Sequence, residues 1–411
     1  MLLTISIIVL LIVFLLIAIR RIGNVTLPIW AIMLGGALVV LVTGQITPIE
    51  ALKAINFDVI FFLFGMFVIG QALEQSGYLE HLSYHFFKKT ETLSHLLLFV
   101  IFGAGLLSAL LMNDTLAIIG TPIVLMLSKN HKKSPKLFLL ALCFAVTIGS
   151  VLSPIGNPQN LLIAINGGMP NPFVSFLKYL FIPTVINLFI LFFLLRYFYK
   201  DEFTNTKLIH LKKHIEDQRL TNLCKISLAL VIFLIFVKIA FVFLKVPFDF
   251  RLTYIALIGA LPIILFSSKR IEIVKKIDWS TLVFFVSMFV LMQSVWNSGF
   301  FQSLISGINI SSISAILIIS VILSQFISNV PLVALYLPLL LLVGAGNKQL
   351  TALAAGSTIA GNLFILGAAS NIIIIQNAEK KGETITFLEF AKIGIPLTII
   401  NLLVYWLFLI I

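Results

Sequence analysis

The chain has sixteen acidic residues, and only Asp114 falls far inside an apolar stretch, within Met112-Asn113-Asp114-Thr115. A carboxylate held away from water is costly, so such a residue is expected to serve a function. It can bind a cation, carry a proton or balance a helix end. The plainer alternative is a protonated Asp that caps the following helix. Asn113 can give an oxygen to a cation or an N–H to an anion, or act simply as a turn residue. About thirty residues further on comes Gly149-Ser150-Val151-Leu152-Ser153-Pro154-Ile155-Gly156-Asn157-Pro158-Gln159-Asn160. Each proline there removes a backbone donor and strains the preceding turn. That leaves carbonyls able to face a cation and half-helix N–H groups able to face an anion.

A second, weaker copy of this pair occurs as Ser328-Asn329-Val330-Pro331 and Gly361-Asn362-Leu363-Phe364-Ile365-Leu366-Gly367-Ala368-Ala369-Ser370-Asn371. The second copy lacks both prolines of the first break. Polar and Gly-rich backbone at membrane depth is tolerated where it is buried in protein or lines a cavity.

The elements that hold these residues are membrane helices. The chain is 60% hydrophobic and 11% charged, with a mean hydropathy of +1.13, whereas soluble domains carry about 25% charged residues. Apolar runs long enough for a ~30 Å hydrocarbon core recur along it. The expected spans are 2–20, 27–44, 57–76, 137–165, 173–197, 224–244, 252–268, 279–298, 351–378 and 387–411. With both termini outside, these ten crossings put most of the 28 Lys and Arg on the cytoplasmic side. The positive-inside rule therefore accounts for the net charge of +12, and no nucleic-acid surface is expected.

The stretches 93–128 and 311–346 fit as re-entrant hairpins. Lys88-Lys89 and Lys129, Lys132 and Lys133 flank the first and belong on one side. Its tip is expected at Asn113-Asp114, and that of the second at Ser328-Asn329. Ile55 to Gly77 aligns without gaps with Ile277 to Gly299; Thr147-Ile148-Gly149 aligns with Thr358-Ile359-Ala360, Gly156 with Gly367 and Asn160 with Asn371. Five crossings per repeat invert the second copy. The expected fold class is thus an all-α polytopic membrane protein of two inverted-topology repeats, each with five transmembrane helices and one hairpin. Repeat 1 covers 1–199, with scaffold helices 1–92 and transport helices 93–199. A cytoplasmic linker covers 200–222, and repeat 2 covers 223–411, with scaffold helices 223–305 and transport helices 311–411.

Other features carry less chemistry. Asp58 and Asp278 begin helices and are expected to cap them; Glu74 lies near an inner helix end. A short amphipathic piece, 78–87, is expected along the inner interface. His81/His85 and His210/His214 have zinc-like spacing without a metalloprotease pattern. Cys143 and Cys224 do not suggest a disulfide framework. The chain contains no phosphate loop, so no ATPase function is expected within it. A membrane aspartyl protease would need a second buried Asp.

Asn113-Asp114-Thr115 followed by Thr121-Pro122, then Gly156-Asn157-Pro158-Gln159-Asn160, then Ser328-Asn329-Val330-Pro331, resemble the ion transporter superfamily. The resemblance is to the arsenite permease / sodium–proton antiporter branch, with its citrate-transporter-like domain, and covers nearly the whole chain. It implies a homodimer in a prokaryotic inner or plasma membrane, with a transport domain that moves as an elevator against a scaffold. It implies Na⁺ or H⁺ as coupling ion, no other cofactor, and a small inorganic or organic ion as substrate. Related dicarboxylate symporters carry Ser-Asn-Thr at both tips, and Asn113, Gly156, Asn329 and Gly367 match their sodium positions. Asp114 and Val330 stand where those symporters have threonine, which argues against a dicarboxylate.

The expected substrate-binding set is Asn113, Asp114, Thr115, Pro158, Asn160, Asn329, Val330 and Asn371. The expected cation set is Asn113, Asp114, Ser150, Gly156, Asn157, Ser328, Asn329, Gly367 and Ala368. The leading expectation is ion-coupled anion transport. The alternative is sodium–proton antiport or arsenite-type efflux through Asp114.

Overall fold

The computed structural model describes residues 4–19, 21–22, 25–78, 81, 90–203, 217–244, 251–299, 311–327 and 329–411. Apart from a two-rung antiparallel ladder, Arg21–Ile22 against Val25–Thr26, the regular structure among these residues is helical. The first half contains α1 (Ile5–Ile19), α2 (Ile29–Val42), α3 (Pro48–Ala54) and α4 (Phe57–Gln75). These are followed by α5 (Leu93–Leu111), α6 (Asn113–His131), α7 (Pro135–Ser150), α8 (Pro158–Asn166) and α9 (Pro172–Phe198). The second half contains α10 (Gln218–Phe243), α11 (Leu252–Phe266), α12 (Arg270–Lys276) and α13 (Trp279–Asn297). It continues with α14 (Ile313–Ile327), α15 (Asn329–Leu342), α16 (Asn347–Ile359), α17 (Ala369–Glu379) and α18 (Phe387–Ile410).

Among the described residues, α4, α5, α9, α10, α13 and α18 are long and apolar enough to cross a membrane. Phe193 on α9 and Phe233 and Phe236 on α10 are each more than 60% exposed. In water such surfaces would aggregate; against lipid tails they are matched to their solvent. By contrast, α7 is buried on every face from Leu137 to Ser150, as expected for a helix that is apolar all round and sits inside a bundle. It is an integral membrane protein.

Local sequence sets the helix starts. Pro48, Pro135, Pro158 and Pro172 occupy first-turn positions, where a missing N–H costs nothing. Asn56, Thr92, Asn157, Asn171, Asp278 and Thr386 each accept a hydrogen bond from the third residue of their helix.

Packing is reciprocal between the halves. The α4 helix packs on α10 and α11, whereas α13 packs on α1 and α2. The first arms of the two hairpins, α5 and α14, pack on α7 and α16 of their own halves. The second arms pack on those helices too and in addition reach across, α6 lying on α17 and α15 on α8. A close approach of α5 to α7 depends on glycine: a Cβ at Gly149 would lie 2.0 Å from the Gly105 carbonyl oxygen.

Several expectations need correction. The α3 and α12 helices were not anticipated, because seven residues give too short a pattern to read. The α4 helix, which contains Asp58 in its first turn, is capped by Asn56, whose Oδ1 accepts from Val59 N at 3.2 Å; Asp58 instead pairs with Arg251 at 2.9 Å. Asp278 does cap, accepting from Thr281 N at 3.2 Å. The α10 helix starts at Gln218, earlier than expected, because Asp217 Oδ1 accepts from Leu220 N at 2.9 Å and supplies a cap. Ser328, most of the amphipathic 78–87 piece, residues 204–216 of the linker, and His85, His210 and His214 lie outside the described residues.

Candidate functional site

Where α5 turns into α6, Met112 adopts φ 70 and ψ 147. This backbone conformation is rare for a side-chain-bearing residue, and such strain costs about 1–3 kcal/mol and gathers at functional sites. The turn places Asn113 and Asp114 at the start of α6, both buried. Asn113 Oδ1 accepts from Asp114 N at 2.9 Å. The backbone N–H of Asn113 donates to the carbonyl of Gly156 at 3.0 Å, which ties the hairpin tip to the break between α7 and α8.

The break is filled by side chains from both halves. Asn160 Nδ2 donates to the carbonyls of Ser150 and Ser153, each at 3.1 Å. Asn157 Nδ2 donates to Ser150 Oγ at 3.2 Å and to Thr358 Oγ1 at 3.0 Å. Thr358 Oγ1 in turn donates to Asn160 Oδ1 at 3.2 Å. The Ser150 carbonyl, which Pro154 leaves without its helical donor, is thus held by Asn160, and the Gly156 carbonyl by Asn113. Gly156 fits because a Cβ there would meet the Ser150 carbonyl oxygen at 2.1 Å.

The second break, between α16 and α17, consists of two short 3₁₀ turns, Ala360–Asn362 and Ile365–Gly367. Asn371 Nδ2 donates to the Gly361 carbonyl at 2.6 Å, repeating at the aligned position what Asn160 does at Ser150. This break is tied to its hairpin differently. Gln325, one turn before the α14–α15 tip, donates through Nε2 to Val321 O and Ala360 O, both at 2.9 Å. The side-chain oxygens of Gln325, Asn329 and Asn371 are buried without a hydrogen-bond partner, as is Oδ1 of Asp114.

The tips and breaks meet at one cavity of about 240 Å³. Asn113 and Asp114 line it from α6, Asn329, Val330 and Pro331 from α15, Pro158 and Gln159 from α8, and Ala369 from α17. Each of these groups stands at a helix N-terminus, so four positive dipole ends converge on it. Phe285, Met288, Phe289 and Met292 of α13 form an apolar wall, and Asn56 and Val59 lie at its rim. Asp114 is the only ionisable side chain among the lining residues. It is 8% exposed.

The structure thus gathers Asn113, Asp114, Pro158, Asn329 and Val330 around one cavity. Thr115, Ser150, Gly156, Asn157, Asn160, Gly367, Ala368 and Asn371 do not line it. Of these, Ser150, Gly156, Asn157 and Asn160 belong to the hydrogen-bonded first break. Asn371 pins the second, whose last residues include Gly367 and Ala368. Sequence reading missed Gln325 and Thr358, and also the Phe285–Met292 wall. A lone Gln in the apolar α14 was the available signal for the first. The wall residues give no such signal, because an apolar helix face reads the same whether it meets lipid, core or ligand.

A family model described as citrate transporter matches residues 9–349. An uncharacterized transporter of Mycobacterium tuberculosis is 28% identical over 397 residues, with 90% of each chain covered. One from Synechocystis is 27% identical over 415 residues, covering 91% of this chain and 90% of its own. A putative transporter arsB of Dictyostelium discoideum is 24% identical over 480 residues, covering 90% and 85%. The crystal structure of the Alcanivorax borkumensis YdaH transporter aligns over 98% of this chain and 95% of its own, at 15% identity and a TM-score of 0.46. With the family model matching most of its length, the chain belongs to the citrate transporter family, within the ion transporter superfamily.

Proposed function

We propose that this protein is a secondary active transporter that moves a small anion across a prokaryotic inner or plasma membrane, coupled to Na⁺ or H⁺. The observation that carries the reading is the cavity itself. Four helix N-termini offer N–H groups and partial positive charge to an anion, while Asp114, with an unpartnered oxygen, offers a place for a cation or a proton. A substrate anion and a coupling cation in one cavity screen each other, which gives each a reason to bind more tightly in the presence of the other. No Lys or Arg lines the cavity, so a multiply charged anion would lack a fixed counter-charge there. A compact, weakly charged species fits better.

The inverted-repeat architecture is part of the proposal. It is supported by the reciprocal packing of α4 on α10 and α11 and of α13 on α1 and α2, and by the crossed hairpin arms. The hairpins and broken helices form a carrier that moves as an elevator against α1–α4 and α10–α13, in a homodimer with both termini outside.

A second reading is sodium–proton antiport or arsenite-type efflux, favoured by the same unpartnered Asp114 oxygen. Thermal-shift titration of the purified protein with Na⁺, small carboxylates and oxyanions, at several pH values, separates the two. Anion transport predicts stabilisation by at least one anion that Na⁺ or H⁺ enhances. Antiport predicts a Na⁺ response that protons oppose and no anion response.

A further inference from the structure

A second cavity, of about 260 Å³, lies at the other end of α4, lined by Phe67, Gly70, Gln71 and Glu74 together with Asp278 at the start of α13. In the gapless repeat alignment, Phe67 and Gly70 stand where α13 has Phe289 and Met292, two residues of the substrate-cavity wall. Asp278 likewise stands where α4 has Asn56 at that cavity's rim. On the carrier side the second cavity is lined by Pro122 of α6 and Asn377 of α17. These lie eight residues beyond Asp114 and Ala369 in the same two helices, or about 12 Å at 1.5 Å per residue. Displacing both helices by that rise would bring Asp114 and Ala369 to the second cavity.

In the present state that position is taken by lysines. Lys380, just past the end of α17, reaches Asp278 Oδ1 at 2.8 Å and the Ile277 carbonyl at 3.2 Å. Lys381 pairs with Glu74. One turn back on α17, the Gln376 side-chain oxygen lies 2.5 Å from Thr281 Oγ1, which is itself 2.6 Å from Asp278 Oδ2. The Asp278 side chain is 1% exposed, so salt screens this pair less than a surface bridge. Among the described residues the other end has no such device. Met169 and Pro170 occupy the positions aligned with Lys380 and Lys381, and Asp58 turns to Arg251 and Thr253 of the scaffold.

We propose that Phe67 and Gly70 form the cytoplasmic station for the same small anion, and that Lys380 and Lys381 plug it and latch the carrier to the scaffold through Asp278 and Glu74. The proposal rests on the carrier reading above. Gly70 suits the station in two ways. A Cβ there would lie 2.9 Å from Ile118 Cγ2, so glycine lets α6 lie close against the scaffold. It also replaces the bulk of Met292, leaving the inner station wider for release.

The test uses V330C as reporter and a membrane-impermeant maleimide applied to right-side-out and inside-out vesicles. With the latch intact, the reporter labels from outside. K380Q/K381Q should raise the inside-to-outside labelling ratio about threefold or more, and so should D278N. E74K should raise it as well, and the charge-swapped pair E74K/K381E, which leaves the Asp278 cap intact, should return it toward the parent value, which a merely structural defect would not do. An unchanged ratio in K380Q/K381Q and D278N, with outside labelling preserved, overturns the latch and leaves the carrier reading standing. Failure of the swap to restore a raised ratio also overturns the latch. A reporter that labels from neither side in any background overturns both.

Discussion

The backbone N–H of Asn113 donates to the Gly156 carbonyl at 3.0 Å, so the first hairpin tip and the first helix break meet main chain to main chain. This contact ties a strained turn directly to a broken helix. It depends on the backbone path at Gly156, where an added Cβ would lie 2.1 Å from the Ser150 carbonyl oxygen and 2.8 Å from the Ser150 Cα. Both are main-chain atoms and cannot swing aside. Gly156→Ala is therefore expected to cost about 1–3 kcal/mol through overpacking and to abolish transport by moving the tip. Thermal denaturation in detergent and uptake in proteoliposomes check the two effects; a variant as stable and active as the parent would refute the tie.

Asn160 and Asn371 pin the two breaks unequally. Asn160 satisfies two carbonyls and accepts from Thr358, whereas Asn371 satisfies one carbonyl through a short bond. Each buried polar group left unpaired costs about 1–3 kcal/mol. Asn160→Ala should therefore lower the thermal midpoint more than Asn371→Ala does. The reverse order would show that the first break is not held as described.

At the start of α10, Asp217 accepts from Leu220 N at 2.9 Å and pairs with Lys269 at 3.0 Å. The Leu220 N–H, then Lys269, hold the Asp217 carboxyl below its ordinary value. A depressed carboxyl stabilises the fold above its unfolded value of about 3.9 and loses that contribution as the pH falls through the native value. Asp217→Ala should cost about 0.5–2 kcal/mol as a lost cap at pH 6–7. The gap between variant and parent should close below about pH 4. Melting curves across that range test it, and a gap independent of pH would contradict the assignment.

Much of this molecule was legible in the sequence for definite physical reasons. The lysine clusters pointed to a hairpin with its tip at Asn113-Asp114, and the chain does turn there, at Met112. Two prolines and a glycine marked the first break, which the structure places between Ser150 and Pro158. The second break was harder, since Gly361, Gly367 and Ala368 carry no proline; only the repeat pointed to it. What sequence could not show was which polar atoms meet. Asn160 reads as a ligand in a broken helix, yet its amide is committed to the main chain. Gln325 reads as an oddity in an apolar arm, yet it ties the arm to Ala360. Such pairings join residues far apart in sequence and are decided by side-chain direction, which periodicity does not encode. The α3 and α12 helices escaped notice for a different reason: each is too short to carry a pattern of its own, and only α3 is announced by a cap, the Thr47–Glu50 box.

The central claim is that Asp114 couples an ion to substrate movement. Asp114→Asn keeps the shape of the side chain and removes its charge, and the unpartnered Oδ1 means that no hydrogen bond to that oxygen is lost. The decisive measurement is uptake of radiolabelled citrate, smaller carboxylates and oxyanions into proteoliposomes under an imposed Na⁺ or H⁺ gradient. The parent protein should accumulate at least one of them saturably and in response to the gradient. Asp114→Asn should retain its melting temperature and lose gradient-driven accumulation. Accumulation by Asp114→Asn equal to that of the parent under the same gradient would contradict the account.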